Sequence, residues 1–481
     1  MVSLPATSPP DTPDDITALD ALTLMSRIHA RKLSCTEVMQ ACLSRIAALN
    51  PAHLALISMP DPDLLLDQAR NLDSKGIDST AVGSVLHGFP QAPKDLLPAA
   101  DFPTTMGSRI FADRITDDEA PAFRHLRKQG AIFIGRTNTP EFGLGCHTYN
   151  TVHGITRNAF DTAVSAGGSS GGAAVAVALN MLPVADGTDM MGSLRTPAAF
   201  NGIYGLRPTP GLVPQGPVNP LVHPPLAAAG PMARNLPDLA LLLASMADFP
   251  STLPFLPYPD PAGFTEPLKV EVKGRRLAWA GDLNGRIPLE VGVMSQAQTA
   301  LKTFETLGCH IEDHVPDFDY ESLWQAWIDL RSVLFYQAQK PWLSQPDLFD
   351  QVKPEAQWEY ERGRQMPQAR IDKALNTHRQ WQHCLTVTFG DYDHLILPAV
   401  QTPPFDATLH WPATIGEHSM DTYHRWMEIV LPASMGALPA LAVPVQRLAA
   451  NTGTGLQIMG APGTDLAVMQ LGHAYDLALS A

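Results

Sequence analysis

Apolar residues at Leu19, Leu22, Met25 and Ile28, and again at Val38, Cys42, Ile46 and Leu49, recur every three to four positions. That period lines them along one helix face, so two amphipathic helices are predicted near the start of the chain, the second over about 36–49. Shorter helices are predicted over 62–71 and 120–129. Elsewhere the pattern changes to short apolar runs, at 131–135, 182–185, 268–280, 394–399, 440–445 and 455–460, which have the length and composition of buried strands. Between these runs, 173–180, 291–307 and 464–479 read as helices. Residues 320–385 read as helical and aromatic, with Trp324, Trp327, Phe335, Tyr336, Trp342, Trp358 and Trp381 mostly assigned to a core. Strands alternating with helices imply βαβ units, hence an α/β fold with a mostly parallel or mixed sheet covered on both faces. Residues 1–14, rich in proline, threonine and aspartate, read as loosely held. No internal repeat or low-complexity linker divides the 481 residues, so one domain is expected.

Composition narrows the partners. The net charge is −15, with 48 acidic against 33 basic residues and no dense basic run, which disfavours nucleic acid and anionic membranes. Five cysteines without a CxxC spacing argue against a disulfide framework or a zinc site. The N-terminal residues lack the basic start and apolar run of a secretory signal, and no stretch is long and apolar enough to span a bilayer. A cytoplasmic protein with reduced thiols is expected, either a monomer or a homodimer.

The candidate chemistry lies between Ala166 and Ala199, in AGGSSGGAAVAVALNMLPVADGTDMMGSLRTPAA. Four glycines enclose Ser169 and Ser170, and glycine permits positive φ and close backbone approach. A helix follows at once, so both serines sit beside unpaired N–H groups. The run 182–185 reads as a buried strand and 186–195 as a tight loop leaving it, from which Ser193 emerges beside Gly192. Taken alone, a Gly/Ser cluster is also ordinary turn material. Gly167–Gly171 fits the Gly-x-Ser-x-Gly elbow of an α/β-hydrolase, but that motif needs a strand just before the serine, and RNAFDTAVSA reads as loop. A phosphate- or nucleotide-binding module is a second alternative, weakened by the missing Gly-Lys-Ser/Thr ending.

The whole run resembles the amidase signature family. The similarity extends to LHGFPQAPKDLLPAADFPTTMGS (86–108), GRTNTPEFGLG (135–145), GLRPTPGLVP (205–214), GPMARNLPDLALLL (230–243) and TGLQIMGAP (454–462). The resemblance implies a large twisted mixed β-sheet between α-helices. Its core would span about 75–245 and 390–481, with a variable helical, substrate-shaping region at about 315–390. It implies a Ser–Ser–Lys triad of Lys94, Ser169 and Ser193, with Ser193 the nucleophile, Ser169 a proton relay after a cis peptide bond, and no metal or cofactor. Met190, Met191, Gly192 and Ser193 correspond to the oxyanion hole. Ser170, Asp189 and Arg195 are assigned supporting roles, the last two as an ion pair. Met106, Cys146, His147 and Tyr149 are candidate pocket residues, with Thr105 similarly placed. Met191 stands where the family commonly has glycine, and Ala166 where proline is common.

The physical requirement behind such a triad is explicit. A serine hydroxyl needs a neighbour to take its proton, and an ordinary lysine, with pKa near 10.4, is charged at neutral pH. Burial disfavours the ammonium, and lowering its pKa by about three units corresponds to roughly 4 kcal/mol. Lys94 is therefore expected to be buried and neutral. The activity implied is cleavage of the C–N bond of amides, with apolar or aryl amides and carbamates (urethanes) favoured by the methionines, and some esterase activity. The glutamine-hydrolysing subunit of a transamidation complex shares the signature and is the remaining alternative.

Overall fold

The computed structural model describes residues 13–76, 85–217, 219–247, 261–445 and 453–479. Residues 1–12 of the segment read as loosely held lie outside the described residues, and Pro13–Ala18 is a short helix. The amphipathic stretch that follows is a separate helix, Ala21–His29 (α1), because Asp20 caps it, accepting from the Thr23 N–H at 2.6 Å. Helix α2 (Cys35–His53) starts at a capping box formed by Ser34 and Glu37. Helices α3 (Pro62–Lys75) and α4 (Pro121–Lys128) each carry proline in the first turn, where its missing N–H costs nothing.

The centre is an eight-stranded mixed sheet. Its strands are β1 (Val184–Asp189), β2 (Tyr204–Arg207), β3 (Ala228–Ala233), β4 (Arg276–Trp279), β5 (His310–Asp313), β6 (His394–Pro398), β7 (Ala440–Pro444) and β8 (Gly455–Met459). Their order across the sheet is β5-β4-β6-β8-β7-β2-β3-β1. Only β4 pairs in parallel, with β5 on one side and β6 on the other. The remaining neighbours are antiparallel. Except at the β4–β5 edge these strands are buried throughout, which explains why those that the pattern does predict read as apolar runs rather than alternating ones.

Three strand expectations are corrected. The run 182–185 continues as β1 through Asp189, because six consecutive residues pair with β3 from Val184↔Ala233 to Asp189↔Ala228. Asp186, Thr188 and Asp189 are thus strand residues, and the loop is shortened to 190–194. The run 268–280 yields only β4, since Gly274 at φ +82° turns the chain between Lys273 and Arg275. The run 131–135 forms just a two-residue parallel pairing of Ile132–Phe133 with Pro90–Gln91, outside the main sheet. The apolar pattern does not predict β2, β3 or β5.

Helices α5 (Gly171–Ala178), α6 (Arg195–Phe200), α7 (Leu236–Met246), α8 (Val293–Thr306) and α12 (Asp465–Leu479) pack on the sheet. Between β5 and β6 stand three long helices, α9 (Tyr320–Leu343), α10 (Pro354–Arg364) and α11 (Gln368–Asp391), with the single turn Pro346–Phe349 between the first two. Trp324, Trp327 and Trp381 are buried there as predicted, whereas Trp342 and Trp358 are each 38% exposed.

Candidate active site

Lys94 is fixed by its backbone before its side chain. Its N–H donates to Asp186 Oδ2 at 3.2 Å, and its carbonyl accepts from Arg136 Nη2 at 2.8 Å. The side chain is 1% exposed and donates to three hydroxyls, Ser169 Oγ at 2.7 Å, Ser170 Oγ at 2.9 Å and Thr188 Oγ1 at 2.9 Å. Burial pulls the ammonium down to about 7, against the opposing pull of Asp186 and Asp189. The same burial pushes Asp186 up to about 6, opposed by the Lys94 N–H and by Arg136.

Ser170 and Thr188 lock together. The Ser170 hydroxyl donates to the Thr188 carbonyl and accepts from the Thr188 N–H, both at 3.3 Å. Gly187 between them is required by space, since a Cβ there would stand 2.6 Å from Ser170 Oγ and 2.7 Å from Leu194 Cδ2. The Gly168–Ser169 peptide is cis. No strand precedes Ser169, so the hydrolase-elbow geometry is absent at this serine.

Asp189, at the end of β1, shapes the loop that carries Ser193. Its carboxylate accepts from the Gly192 N–H at 2.9 Å and the Leu194 N–H at 3.1 Å, and from Arg195 through Nε and Nη2, each at 3.0 Å. Burial alone would raise this carboxyl, but Arg195 and Arg207 hold it well below the usual carboxylate range. Arg195 spends its remaining donors on the Val430 carbonyl, Gln457 and Ser434, so the loop is tied to β8 and to the segment beneath it. The N–H of Gly192 is therefore engaged with Asp189. Those of Met190, Met191 and Ser193 have no acceptor among the described residues. The Ser193 hydroxyl likewise has no partner among them, while the Ser193 carbonyl accepts from the Ser170 N–H at 3.2 Å.

Ser169, Thr188 and Ser193 line one cavity of about 400 Å³, whose wall is otherwise mainly apolar: Leu96, Met106, Phe142, Met190, Met191, Val213, Val222, Leu226, Leu334, Phe335 and Met427. Of the four candidate pocket residues, only Met106 lines it. Cys146 donates from Sγ to the Met191 carbonyl at 3.1 Å, and burial pushes its thiol up to about 12. His147 accepts from Ser165 Oγ at 2.7 Å on Nδ1 and donates to the Ala407 carbonyl from Nε2 at 3.1 Å, with burial pulling it down to about 4. Tyr149 donates to Glu355 at 3.3 Å. These three side chains line a separate small void, and Cys146 touches the Ser193 loop through Met191. Thr105 is also turned away, donating to Asp95 from both its N–H and its hydroxyl. Sequence reasoning overlooked Thr188 and Asp186; the period of two along β1 would have put both on one face, had the strand been drawn to Asp189.

The family model described as Amidase matches residues 37–469, almost the entire chain. The chain belongs to the Amidase family. This amidase is 31% identical to the acylamidase of Rhodococcus erythropolis over 95% of each chain. It is 29% identical to a glutamyl-tRNA(Gln) amidotransferase subunit of Nitrosomonas eutropha over 95% of this chain and 96% of that one. The crystal structure of a bacterial aryl acylamidase of the amidase signature family shares the fold, with a TM-score of 0.86 over 96% of each chain at 24% identity. The eight-stranded mixed sheet clad in helices is thus the amidase signature fold. The protein is an enzyme that hydrolyses amide C–N bonds. No helix among the described residues is long and apolar enough to cross a membrane.

Proposed function

We propose that this amidase cleaves apolar aryl amides and carbamates through an acyl-enzyme on Ser193. The observation that carries this reading is a buried Lys94 whose Nζ lies 2.7 Å from Ser169 Oγ, at the edge of an apolar cavity into which Ser193 also opens. A neutral Lys94 takes the Ser169 hydroxyl proton as Ser169 takes that of Ser193, and Ser193 Oγ attacks the substrate carbonyl carbon. The resulting oxyanion accepts from the N–H groups of Met190, Met191 and Ser193, which have no competing acceptor among the described residues. Collapse breaks the C–N bond, and the proton returns through Ser169 to the leaving amine. Water then repeats the sequence on the acyl-enzyme, and esters enter by the same route. The substrate is a small molecule held within a single domain, whose sheet core and helix α9 together form the chamber.

The relatives that are amidotransferase subunits raise a glutaminase reading. Among the described residues no carboxylate lines the cavity, so nothing there pairs with the α-ammonium of glutamine. The test is a panel of p-nitroanilides, aryl carbamates, short esters and glutamine, assayed with wild type, Ser193→Ala and Lys94→Ala. Turnover of the aryl substrates is expected with wild type, with a loss of at least about 10³-fold in either variant and no release of ammonia from glutamine. Equal rates for wild type and Ser193→Ala would end the proposal.

A further inference from the structure

Among the described residues Arg331 is the one charged side chain in the cavity wall. It lies on α9, whose next turns contribute Leu334, Phe335 and Gln339 to the same wall. Two of its three nitrogens are committed. Nε donates to Glu359 Oε1 at 2.6 Å, and Nη2 donates to the Tyr423 hydroxyl at 2.8 Å, which itself donates to Glu359 at 2.7 Å. Ser332 adds a further donor to Glu359 at 2.6 Å. The guanidinium is also held over the rings of Trp327, at 5.0 Å, and Tyr423, at 5.6 Å. Its geometry is therefore set before any ligand arrives. The third nitrogen, Nη1, has no partner among the described residues, yet it is not one of the enclosed orphan atoms. In a residue only 5% exposed, it is the part left to face the cavity.

We infer that Arg331 Nη1 is a specificity determinant, donating to an uncharged oxygen acceptor, such as a nitro, ether or carbonyl group, carried by the aryl group of the substrate. This rests on the reading of the cavity as the substrate chamber. An apolar wall with one oriented donor accepts an aryl group and selects those bearing an acceptor, because an unmatched donor in a dry site forfeits its hydrogen bonds to water. The acceptor is uncharged because Glu359 already balances the guanidinium. A carboxylate would bring a net charge into an apolar chamber with no counter-charge left to meet it.

The test uses anilides and benzamides in matched sets, para-substituted with nitro, with the isosteric isopropyl group, or with carboxylate. Wild type is compared with a charge-balanced double variant, Arg331→Met with Glu359→Gln, whose folding is checked by thermal melting. In at least one set, wild type should show a lower KM for nitro than for isopropyl. The nitro-to-isopropyl ratio of kcat/KM should fall about 10- to 100-fold in the variant, with the change in KM rather than kcat. Comparing ratios cancels the electronic effect of the nitro group. Equal wild-type KM values for nitro and isopropyl in both sets overturn the inference, even if the variant fails to fold. A carboxylate preferred over nitro by more than tenfold also overturns it, since the site would then be reading charge. If wild type turns over none of these compounds, the functional reading fails instead, and calorimetric binding of the same compounds to the intact enzyme still decides the role of Arg331.

Discussion

At the residue scale the site turns on a proton count around Lys94. A neutral amine has two N–H donors and one lone pair, yet Nζ lies within hydrogen-bond distance of three hydroxyls. One hydroxyl must therefore donate to it. Ser170 directs its proton at the Thr188 carbonyl, which leaves Ser169 or Thr188 as the donor to nitrogen. With Ser169 as that donor, the amine is already poised to remove its proton. Because burial brings Lys94 to about 7, kcat/KM is expected to rise with one apparent pKa near that value and then level off above pH 8. The Thr188 hydroxyl favours the charged amine by accepting from it, so Thr188→Val should lower the pKa and move the rise to more acidic pH. A pH–rate profile of both proteins checks this, and an alkaline displacement would contradict the assignment.

At the scale of elements, β1 and the loop after it are held by one carboxylate. Asp189 takes the Gly192 and Leu194 N–H groups and both prongs of Arg195, with Arg207 at 3.6 Å, and all three charged side chains are inaccessible to solvent. Such a cluster contributes little over an apolar replacement, but removing one partner strands the others. Asp189→Asn leaves two buried guanidinium groups with no counter-charge and should cost about 3–5 kcal/mol in urea unfolding, with loss of activity. A cost below about 1 kcal/mol would show that the cluster does not hold the loop. The bracketing of the loop by Asp189 and Arg195 pointed to their pairing, but the parts of Gln457 and Ser434 depend on segments more than 200 residues away being brought to Arg195, which no local pattern records.

At the scale of the whole molecule, the sheet side supplies the reactive groups and α9 supplies the opposite wall of the cavity. Phe335, packed edge-on to Phe142 at 5.6 Å between ring centres, fills part of that wall. Phe335→Ala should widen the chamber and raise the kcat/KM ratio of naphthyl over phenyl amides, while costing about 3 kcal/mol of stability or less because one face of the ring already borders open space. An unchanged ratio would mean that α9 does not shape the substrate.

The sequence by itself determined the α/β class, most of the helices and the family. Those are properties of local periodicity and of a contiguous motif, and each is complete within a few dozen residues. It misread the polar half of β1 as loop because Asp186, Thr188 and Asp189 are buried by partners distant in the chain, so their polarity gave the wrong signal. Only the tertiary structure decided that Cys146, His147 and Tyr149 lie outside the cavity that Ser193 lines, that the Gly192 N–H is claimed by Asp189, and that Arg331 joins the wall of that cavity. Which way a side chain points at a site built from several elements depends on how those elements pack, and packing is a sum over contacts far apart in sequence.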